Sequence, residues 1–274
     1  MLNDRRLSSI ASKVVPEGLS VSDFARTTSD EIIERAEHRL RLCARCPTHG
    51  GACDSPYERD LGHEPYWDGA VQWRYCSKWP TYLLHERLRS FGVPDLMLNA
   101  RIDNFEEAPG ALALAAELAR NFVEMYEGAH QNNKGLLFVG PTGVGKTHLA
   151  VGVMRELVRR GHARTAKMVD VARFLEDLRA SYDAPLAERK QVIDPLLYAD
   201  VVLLDDLGAQ RTTEWVREQL GIVINERWAN RRTMLITTNA NLDYFGDTLG
   251  ERALSRLQDM LLTVMLNGPS RRGT

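Results

Sequence analysis

Residues 135–147, GLLFVGPTGVGKT, decide the fold class of this 274-residue chain. Five apolar residues lead directly into Gly140-Pro141-Thr142-Gly143-Val144-Gly145-Lys146-Thr147, which fits the pattern G-x-x-x-x-G-K-[ST] in full, and an amphipathic segment follows. A strand that runs through such a loop into a helix is typical of a phosphate-binding P-loop. Its glycines let backbone N–H groups curl around phosphates, and the N-terminus of the helix adds partial positive charge.

The last residues of the loop have separate expected roles. We expect Lys146 to reach the β- and γ-phosphates of a bound nucleotide and the hydroxyl of Thr147 to ligate Mg²⁺. His148 follows directly and completes the predicted nucleotide-binding set. The sequence therefore predicts a site for ATP and Mg²⁺ at this loop.

Apolar strands and amphipathic helices alternate along the C-terminal two thirds of the chain. We expect helices over residues 109–127, 146–160, 171–197, 213–230 and 250–260, and strands over residues 135–139, 165–169, 201–204, 234–237 and 262–266. Continuously apolar strands separated by helices predict an α/β fold with a parallel five-stranded sheet that is covered by helices on both faces. Only eight residues follow the last predicted strand, so we expect no C-terminal lid.

Polar residues end two of the predicted strands. Asp205 and Asp206 follow the apolar run at 201–204, and Asn239 follows the strand at 234–237. Ligands of open α/β sheets bind at the carboxyl ends of the strands. Asp205 is therefore the expected partner of the Mg²⁺ water shell, and Asp206 is placed to polarise an attacking water. Asn239 is expected to bond the γ-phosphate or that water, although asparagine at a strand end is also a common turn residue.

Two arginines share one face of the last predicted helix. Arg252 and Arg256 are four residues apart, which brings their side chains together on a helix. An arginine can stabilise the charge that develops on a transferred phosphoryl group, and a neighbouring subunit can supply it. The alternative is that both arginines belong to an ordinary solvated face.

All four cysteines lie between residues 43 and 76. Cys43 and Cys46 have the C-x-x-C spacing of a metal site, and Cys53 and Cys76 can complete a tetrahedral Cys₄ site for Zn²⁺. His49 and His63 are rival ligands, because imidazole also suits zinc. Buried free cysteines in a small core are the remaining alternative.

Composition excludes several classes of protein. The net charge of −2 and the hydrophobic content of 44% exclude a disordered chain, a collagen-like fibre and a strongly cationic nucleic-acid coat. No apolar run reaches the ~18 residues of a membrane span, and the N-terminus does not resemble a secretory signal. We therefore expect a cytoplasmic protein with no membrane partner, whose DNA binding would need a local basic patch.

An ordered set of motifs resembles the AAA+ ATPases of the DnaC/DnaI/IstB type, which are loaders of the replicative helicase and ATPase helpers of certain transposases. The set extends over residues 91–274 and consists of residues 91–105 (FGVPDLMLNARIDNF), 140–149 (GPTGVGKTHL), 203–208 (LLDDLG), 214–219 (EWVREQ), 236–239 (ITTN), 250–257 (GERALSRL) and 267–272 (NGPSRR). This resemblance implies an AAA+ ATPase domain over residues 91–274.

The resemblance also implies roles for single residues. Residues 140–147 match the Walker A loop, Asp205 and Asp206 match Walker B, and Asn239 matches the sensor residue. The arginine finger that acts on a neighbour's ATP matches Arg256, with Arg252 as the alternative, and a second sensor arginine would be sought at Arg271 or Arg272. Glutamate is commoner than Asp206 in the wider AAA+ group, so hydrolysis is expected to be slow and stimulated by a partner.

The N-terminal region completes the predicted function. The helicase loader DnaI resembles this layout, with a zinc module before the ATPase that holds the helicase, so we expect residues 1–90 to form a zinc-stapled partner-binding module. The favoured hypothesis is an ATP-dependent loader of the replicative helicase that self-associates on single-stranded DNA. An IstB-like helper of a transposase is the alternative, and a small-molecule kinase is disfavoured because the chain has no room for a substrate lid.

Residues 184–197 are the candidate region for contact with DNA. In related ATPases the region that corresponds to residues 184–197 carries extra helices that contact single-stranded DNA. Arg189 and Lys190 are its only basic pair here, so a solvated helix face is an equal alternative.

Overall fold

The computed structural model describes residues 63–67, 71–75, 79–105, 110–126, 134–208, 213–240 and 242–271. The chain divides into two compact units, Met1–Glu86 and Arg87–Thr274. None of the helices in the described ranges is long and apolar enough to cross a membrane. The predicted division into residues 1–90 and 91–274 stays a prediction.

In the first unit, the described strands form an antiparallel hairpin. Strand β1 (His63–Trp67) pairs with β2 (Val71–Tyr75), so that His63 lies opposite Tyr75. Helix α1 (Trp79–Ser90) follows along the chain. Pro80 is the second residue of this helix, where its missing N–H breaks no hydrogen bond.

The second unit has the predicted alternation of helices and strands. In chain order its elements are α2 (Ala111–Glu124), β3 (Gly135–Val139), α3 (Lys146–Arg159), β4 (Ala166–Asp170), α4 (Val171–Ala180), α5 (Leu186–Tyr198), β5 (Val201–Asp205), α6 (Glu214–Ala229), β6 (Thr233–Thr238), α7 (Leu242–Leu249), α8 (Glu251–Met260) and β7 (Leu261–Met265). Short 3₁₀ turns lie at Asp95–Met97 and Ser181–Asp183.

The five strands of this unit form one parallel sheet in the order β4-β5-β6-β3-β7. All five residues of β3 and the first four of β5 are buried, as their continuous apolar sequences predict for strands that are covered on both faces. The predicted parallel five-stranded α/β fold is confirmed. Strands β3 and β6 are neighbours, so the P-loop and the polar end of β6 lie at the same edge of the sheet.

Helices cover both faces of the sheet. Successive strand residues point to opposite faces, and Val202, Leu204, Met234 and Ile236 join a core with apolar residues of α4 to α8. Helices α2 and α3 pack on the other side, where α3 contacts β3, β5 and β6. Each buried leucine or valine stabilises the fold by about 1.5–3 kcal/mol relative to its exposed state.

Two elements differ from the sequence prediction. The helix expected over residues 171–197 is interrupted between Ser181 and Pro185. A proline disfavours the helical conformation in the residue before it. That residue, Ala184, is accordingly extended, with φ −89° and ψ 163°. Helix α7 was not predicted because it contains a glycine and two aspartates, which are weak helix formers. Burial of Phe245 and Leu249, one turn apart on this helix, favours the helical state.

Candidate nucleotide-binding site

The P-loop joins the carboxyl end of β3 to the N-terminus of α3. Lys146 is the first residue of α3, and its side chain is buried. Its ammonium donates hydrogen bonds of 3.0 Å to the carbonyl oxygens of Gly140 and of Pro141. The loop therefore curls around the lysine that the sequence predicted to bind phosphate.

Glycine is required at two positions of the loop. Gly143 and Gly145 have φ values of 83° and 103°, in the left-handed region that side chains disfavour. A Cβ atom on Gly143 would lie 2.2 Å from Oγ of Ser270, and one on Gly145 would lie 2.7 Å from the ring of Phe105. Two distant chain segments thus pack directly onto the loop, and any larger residue would displace them.

Asp205 lies at the end of β5 and accepts two hydrogen bonds on one carboxylate oxygen. The hydroxyl of Thr147 donates over 2.9 Å and the hydroxyl of Thr237 over 2.6 Å. Burial raises the pKa of Asp205, and these two hydrogen bonds oppose that rise because they stabilise the carboxylate. The predicted partners Thr147 and Asp205 are therefore in direct contact.

Asp206 follows with an unusual backbone conformation. Its φ of 55° is left-handed, which aspartate tolerates better than most residues, and its N–H donates a 2.9 Å hydrogen bond to the hydroxyl of Thr237. The side chain of Asp206 is exposed and lines the cleft beside the P-loop. Thr237 therefore fixes both acidic residues, a role that the sequence did not reveal.

A cleft of 240 Å³ lies over the P-loop. The described residues that line it come from the P-loop, the first turn of α3, the end of β5 and both ends of the unit. They are Met97, Thr142, Gly143, Gly145, Lys146, Thr147, His148, Asp206 and Arg271. The guanidinium of Arg271 stacks over the ring of Phe105 at 4.4 Å, and its backbone N–H donates to the carbonyl of Gly143. Of the two arginines proposed for a second sensor, Arg271 lines this cleft, and Arg272 lies outside the described residues.

His148 attaches the segment before α2 to the nucleotide cleft. Its Nε2 is 2.9 Å from the side-chain oxygen of Asn104 and 3.2 Å from the carbonyl of Arg101. Both partners are acceptors, so Nε2 carries a hydrogen and donates. Burial lowers the pKa of His148, which keeps the ring neutral at pH 7.

The remaining predicted catalytic residues lie outside this cleft. Asn239 follows β6 and is exposed, and its side chain makes no hydrogen bond to another described residue. Arg252 and Arg256 are on α8, and neither is among the described residues that line the cleft. Their assignments remain predictions.

The proposed zinc ligands cannot be located. Cys43, Cys46, Cys53 and Cys76 lie outside the described residues, as does the rival His49, while only the backbone of His63 is described, in β1. The Cys₄ site therefore stays a prediction.

The sequence missed three contributors to the cleft. Thr237 was visible as a polar residue in an apolar strand, but its link to Asp205 depends on β5 and β6 being neighbours in the sheet. Met97 and Phe105 lie in a segment far from the P-loop in sequence, and no local pattern marks them as part of the site. Only the resemblance of residues 91–105 to known ATPases indicated that this segment belongs to the ATPase domain.

The residues present suit a magnesium nucleotide. Thr147 in the first turn of α3 offers a hydroxyl, and Asp205 at the end of β5 offers a carboxylate. Both are oxygen ligands of the kind that Mg²⁺ prefers. The backbone of the loop and the ammonium of Lys146 face the same cleft, where phosphates are favoured by the helix N-terminus.

Comparison with known proteins agrees with this site. Residues 119–268, more than half of the chain, match the family model described as IstB-like ATP binding protein. The replicative helicase loader DnaC of Escherichia coli (strain K12) is 25% identical over 167 residues, which span 61% of this chain and 66% of DnaC. The phage-like element PBSX protein XkdC of Bacillus subtilis (strain 168) is 27% identical over 81% of this chain and 82% of its own length.

A solved structure has the same fold. The crystal structure of the DnaC helicase loader superimposes with a TM-score of 0.56 and 28% identity, over 63% of this chain and 99% of that one. The similarity supports the α/β fold described above, a parallel five-stranded sheet with flanking helices. The chain therefore belongs to the IstB-like ATP-binding protein family, within the DnaC/DnaI/IstB group of AAA+ ATPases.

Proposed function

We propose that this protein is an ATP-dependent loader of the replicative DNA helicase. The observation that carries the proposal is the contact of Thr147 with Asp205 over the P-loop, in a chain related to DnaC, whose name describes a replicative helicase loader. ATP and Mg²⁺ are the proposed cofactors. The chain spans 66% of the length of this DnaC, so its activity and partners as a whole belong to the proposal.

Nucleotide binding uses the groups that line the cleft. Backbone N–H groups of the P-loop and the ammonium of Lys146 hold the phosphates, and Arg271 adds a third source of positive charge. Thr147 and Asp205 hold Mg²⁺, which neutralises charge on the phosphate oxygens when it is bound. The carboxylate of Asp205 is kept in place by Thr237, so it need not reorganise when the nucleotide arrives.

Hydrolysis is proposed to need a second subunit. Asp206 orients the attacking water from the edge of the cleft, and Asn239 assists it from the end of β6. Arg256 of one subunit, with Arg252 as the alternative, reaches the γ-phosphate in a neighbour. Because both arginines lie outside the cleft of their own chain, a role in a neighbouring site is the consistent one.

The first test is ATP-dependent association with the helicase. The full chain should bind the cognate replicative helicase in the presence of ATP, and Lys146→Ala should lose both ATP binding and ATP-dependent association. Arg160→Ala is the matched control, because Arg160 pairs with Glu124 outside the cleft. Failure of the parent protein to associate with the helicase at low salt would contradict the loader function.

The N-terminal region is proposed to be the partner-binding module. Cys43, Cys46, Cys53 and Cys76 would hold one Zn²⁺, with residues 1–90 as the zinc-stapled unit and residues 91–274 as the ATPase. Elemental analysis of the full chain should find about one zinc per molecule, and Cys43→Ser should reduce it. Less than half an equivalent in the parent protein would exclude the Cys₄ site.

Single-stranded DNA is the second proposed partner. Arg189 lies on α5, where its guanidinium stacks 3.9 Å over the ring of the exposed Tyr182. Binding through phosphate contacts should weaken as salt increases. Unchanged affinity between low and high salt would contradict this mode of binding.

A helper of a transposase is the second candidate function, and the match to the IstB-like family model favours it. It predicts ATP-dependent binding to duplex target DNA and association with a transposase in place of the helicase. Parallel binding assays with helicase and transposase distinguish the two functions.

A further inference from the structure

The predicted finger Arg256 is held by an exposed tryptophan of another helix. Trp228 lies in the last turn of α6, and the guanidinium of Arg256 stands 5.1 Å over its ring. The indole N–H donates a 2.8 Å hydrogen bond to the carboxylate of Asp259, which lies three residues after Arg256 on α8. The three side chains form one cluster on the surface.

We propose that Trp228 is a positioning residue for Arg256, which holds the finger ready for the ATP of a neighbouring subunit. The proposal rests on the proposed role of Arg256 in trans. Trp228 does not touch the nucleotide in this scheme, and it acts only through the arginine.

The contact of Arg256 with an aromatic ring suits the function of an arginine finger. A ring binds the flat face of a guanidinium and leaves its edge-directed N–H donors available for phosphate oxygens, whereas a carboxylate would occupy those donors. The carboxylate of Asp259 accepts from the indole, and Arg256 forms no ion pair with any described carboxylate. Arg256 is thereby oriented without losing the groups that would bind phosphate.

The platform under Arg256 is rigid. Arg227, the residue before Trp228, is completely buried and donates hydrogen bonds of 3.0 Å to the carbonyl of Ala199 and 2.6 Å to that of Thr233. The last turn of α6 is therefore fixed to the connection between α5 and β5 and to the first residue of β6. Asp259 fixes the indole on this turn, so the ring has little freedom to move away.

Trp228 is not explained by core packing alone. Trp228 remains 37% exposed, so it is not a buried core residue. Arg252, one turn earlier on α8, is exposed and has no described aromatic partner. The contact thus also favours Arg256 over Arg252 as the finger.

The test compares ATP turnover with ATP binding. Trp228→Ala should reduce kcat by about two- to fivefold, the range expected for loss of a partly exposed cation–π contact, and leave the affinity for a fluorescent ATP analogue unchanged. Trp228→Phe should recover much of the loss because it retains a ring. Tyr198→Ala is the matched control, since it removes another exposed ring that lies 5.8 Å from an arginine, Arg232, outside the proposed machinery.

A mixing experiment shows in which subunit the defect acts. Lys146→Ala subunits cannot bind ATP but still present an intact Arg256, so mixing them with Trp228→Ala subunits should restore turnover at the Trp228→Ala sites. The double variant Trp228→Ala/Arg256→Ala should be no slower than Arg256→Ala alone, because both changes remove the same effect.

The outcomes separate the two proposals. Wild-type turnover in Arg256→Ala would overturn the finger role and the proposed trans mechanism. A defective Arg256→Ala together with a fully active, or faster, Trp228→Ala would overturn only the role of Trp228. Loss of activity in Trp228→Ala that Lys146→Ala subunits do not restore, while they do restore Arg256→Ala, would also overturn it.

Discussion

The hydroxyl of Thr237 donates a 2.6 Å hydrogen bond to the same carboxylate oxygen of Asp205 that accepts from Thr147. Thr237 also accepts the backbone N–H of Asp206. One side chain of β6 therefore connects the two acidic residues at the end of β5. Since Thr237 is completely buried, this connection is not exchanged for water.

Thr237→Val should weaken the binding of Mg²⁺ and ATP. Valine has nearly the shape of threonine, but it can neither donate to Asp205 nor accept from Asp206. A hydrogen bond to a charged group contributes about 1.5–3 kcal/mol, so we expect roughly ten- to hundredfold weaker binding. The measurement is calorimetric titration with Mg²⁺-ATP, and Thr237→Ser, which keeps the hydroxyl, should bind much as the parent does. Equal affinity in the valine variant would exclude this role for Thr237.

The same variant should show a stronger dependence on pH. The hydrogen bond from Thr237 lowers the pKa of Asp205 against the rise that burial causes, so its loss lets the pKa rise further. Protonation of Asp205 removes a Mg²⁺ ligand, so affinity falls as the pH decreases towards that pKa. We expect the difference between Thr237→Val and the parent to increase from pH 8 to pH 5.5, and a constant ratio would contradict this explanation.

Asp205→Asn should stabilise the nucleotide-free protein while it abolishes Mg²⁺-dependent binding. Because burial raises the folded-state pKa of Asp205, ionisation of this group costs stability at every pH above its usual value of 3.8. Removal of the charge should therefore raise the free energy of unfolding at pH 7, as measured by urea unfolding. The gain should disappear as the pH falls below the usual value, where the parent is protonated both folded and unfolded.

Asp170→Asn is the control for that experiment. Asp170 is the register partner of Asp205 in the sheet and accepts from the N–H of Arg173 as the N-cap of α4. Asparagine caps helices about as well as aspartate. The charge of Asp170 is the smallest of the contributions that raise the pKa of Asp205, so this variant should stabilise the protein much less than Asp205→Asn does. A lower unfolding free energy in Asp205→Asn at pH 7 would contradict the electrostatic argument.

Gly143→Ala should damage the P-loop more than an alanine at a comparable glycine. Gly143 and Gly161 both have positive φ, at 83° and 77°, but a Cβ would meet Ser270 in the first case and nothing within 4 Å in the second. Gly161→Ala should therefore cost only the backbone strain, about 1–2 kcal/mol, as measured by urea unfolding. Gly143→Ala should cost more and also weaken ATP binding.

Removal of the clash offers a further check on Gly143. The atoms nearest to a Cβ on Gly143 belong to the side chain of Ser270. Adding Ser270→Gly to Gly143→Ala should therefore recover the stability lost to that clash, but not the stability lost to the positive φ of residue 143. If the double variant is as unstable as Gly143→Ala alone, the packing of residues 267–271 on the loop does not contribute.

The sequence predicted those parts of the molecule that depend on local pattern. Apolar runs located all five strands of the sheet, and the glycine pattern located the loop around Lys146, because each is encoded in consecutive residues. The order of strands in the sheet is not encoded locally, so the contact of Thr237 with Asp205 became visible only in three dimensions. Trp228 and Arg256 were missed as a pair for the same reason, since different helices carry them.

Helix α7 shows a second limit. Its sequence has weak helix propensity, and tertiary burial of Phe245 and Leu249 overrides that preference. The packing partners that decide the structure of α7 lie outside the local window.

Arg271 brings a positive charge from the C-terminal end of the chain to the P-loop. Its guanidinium stacks on Phe105, and both residues contact the glycines of the loop. Arg271→Ala should weaken ATP binding about tenfold through loss of a charged hydrogen bond to phosphate. Arg271→Lys should be intermediate, because an ammonium keeps the charge but lacks the flat face that stacks on the ring.

The structural contact and the charge of Arg271 can be separated. Its backbone N–H bond to Gly143 survives any of these substitutions, so Arg271→Ala should unfold at nearly the same urea concentration as the parent. Phe105→Leu should weaken ATP binding less than Arg271→Ala, since the charge remains present. Arg160→Ala is the matched control, because Arg160 pairs with Glu124 outside the cleft and should leave ATP affinity unchanged. An Arg271→Ala protein that binds ATP as tightly as this control would show that Arg271 serves only to pack the loop.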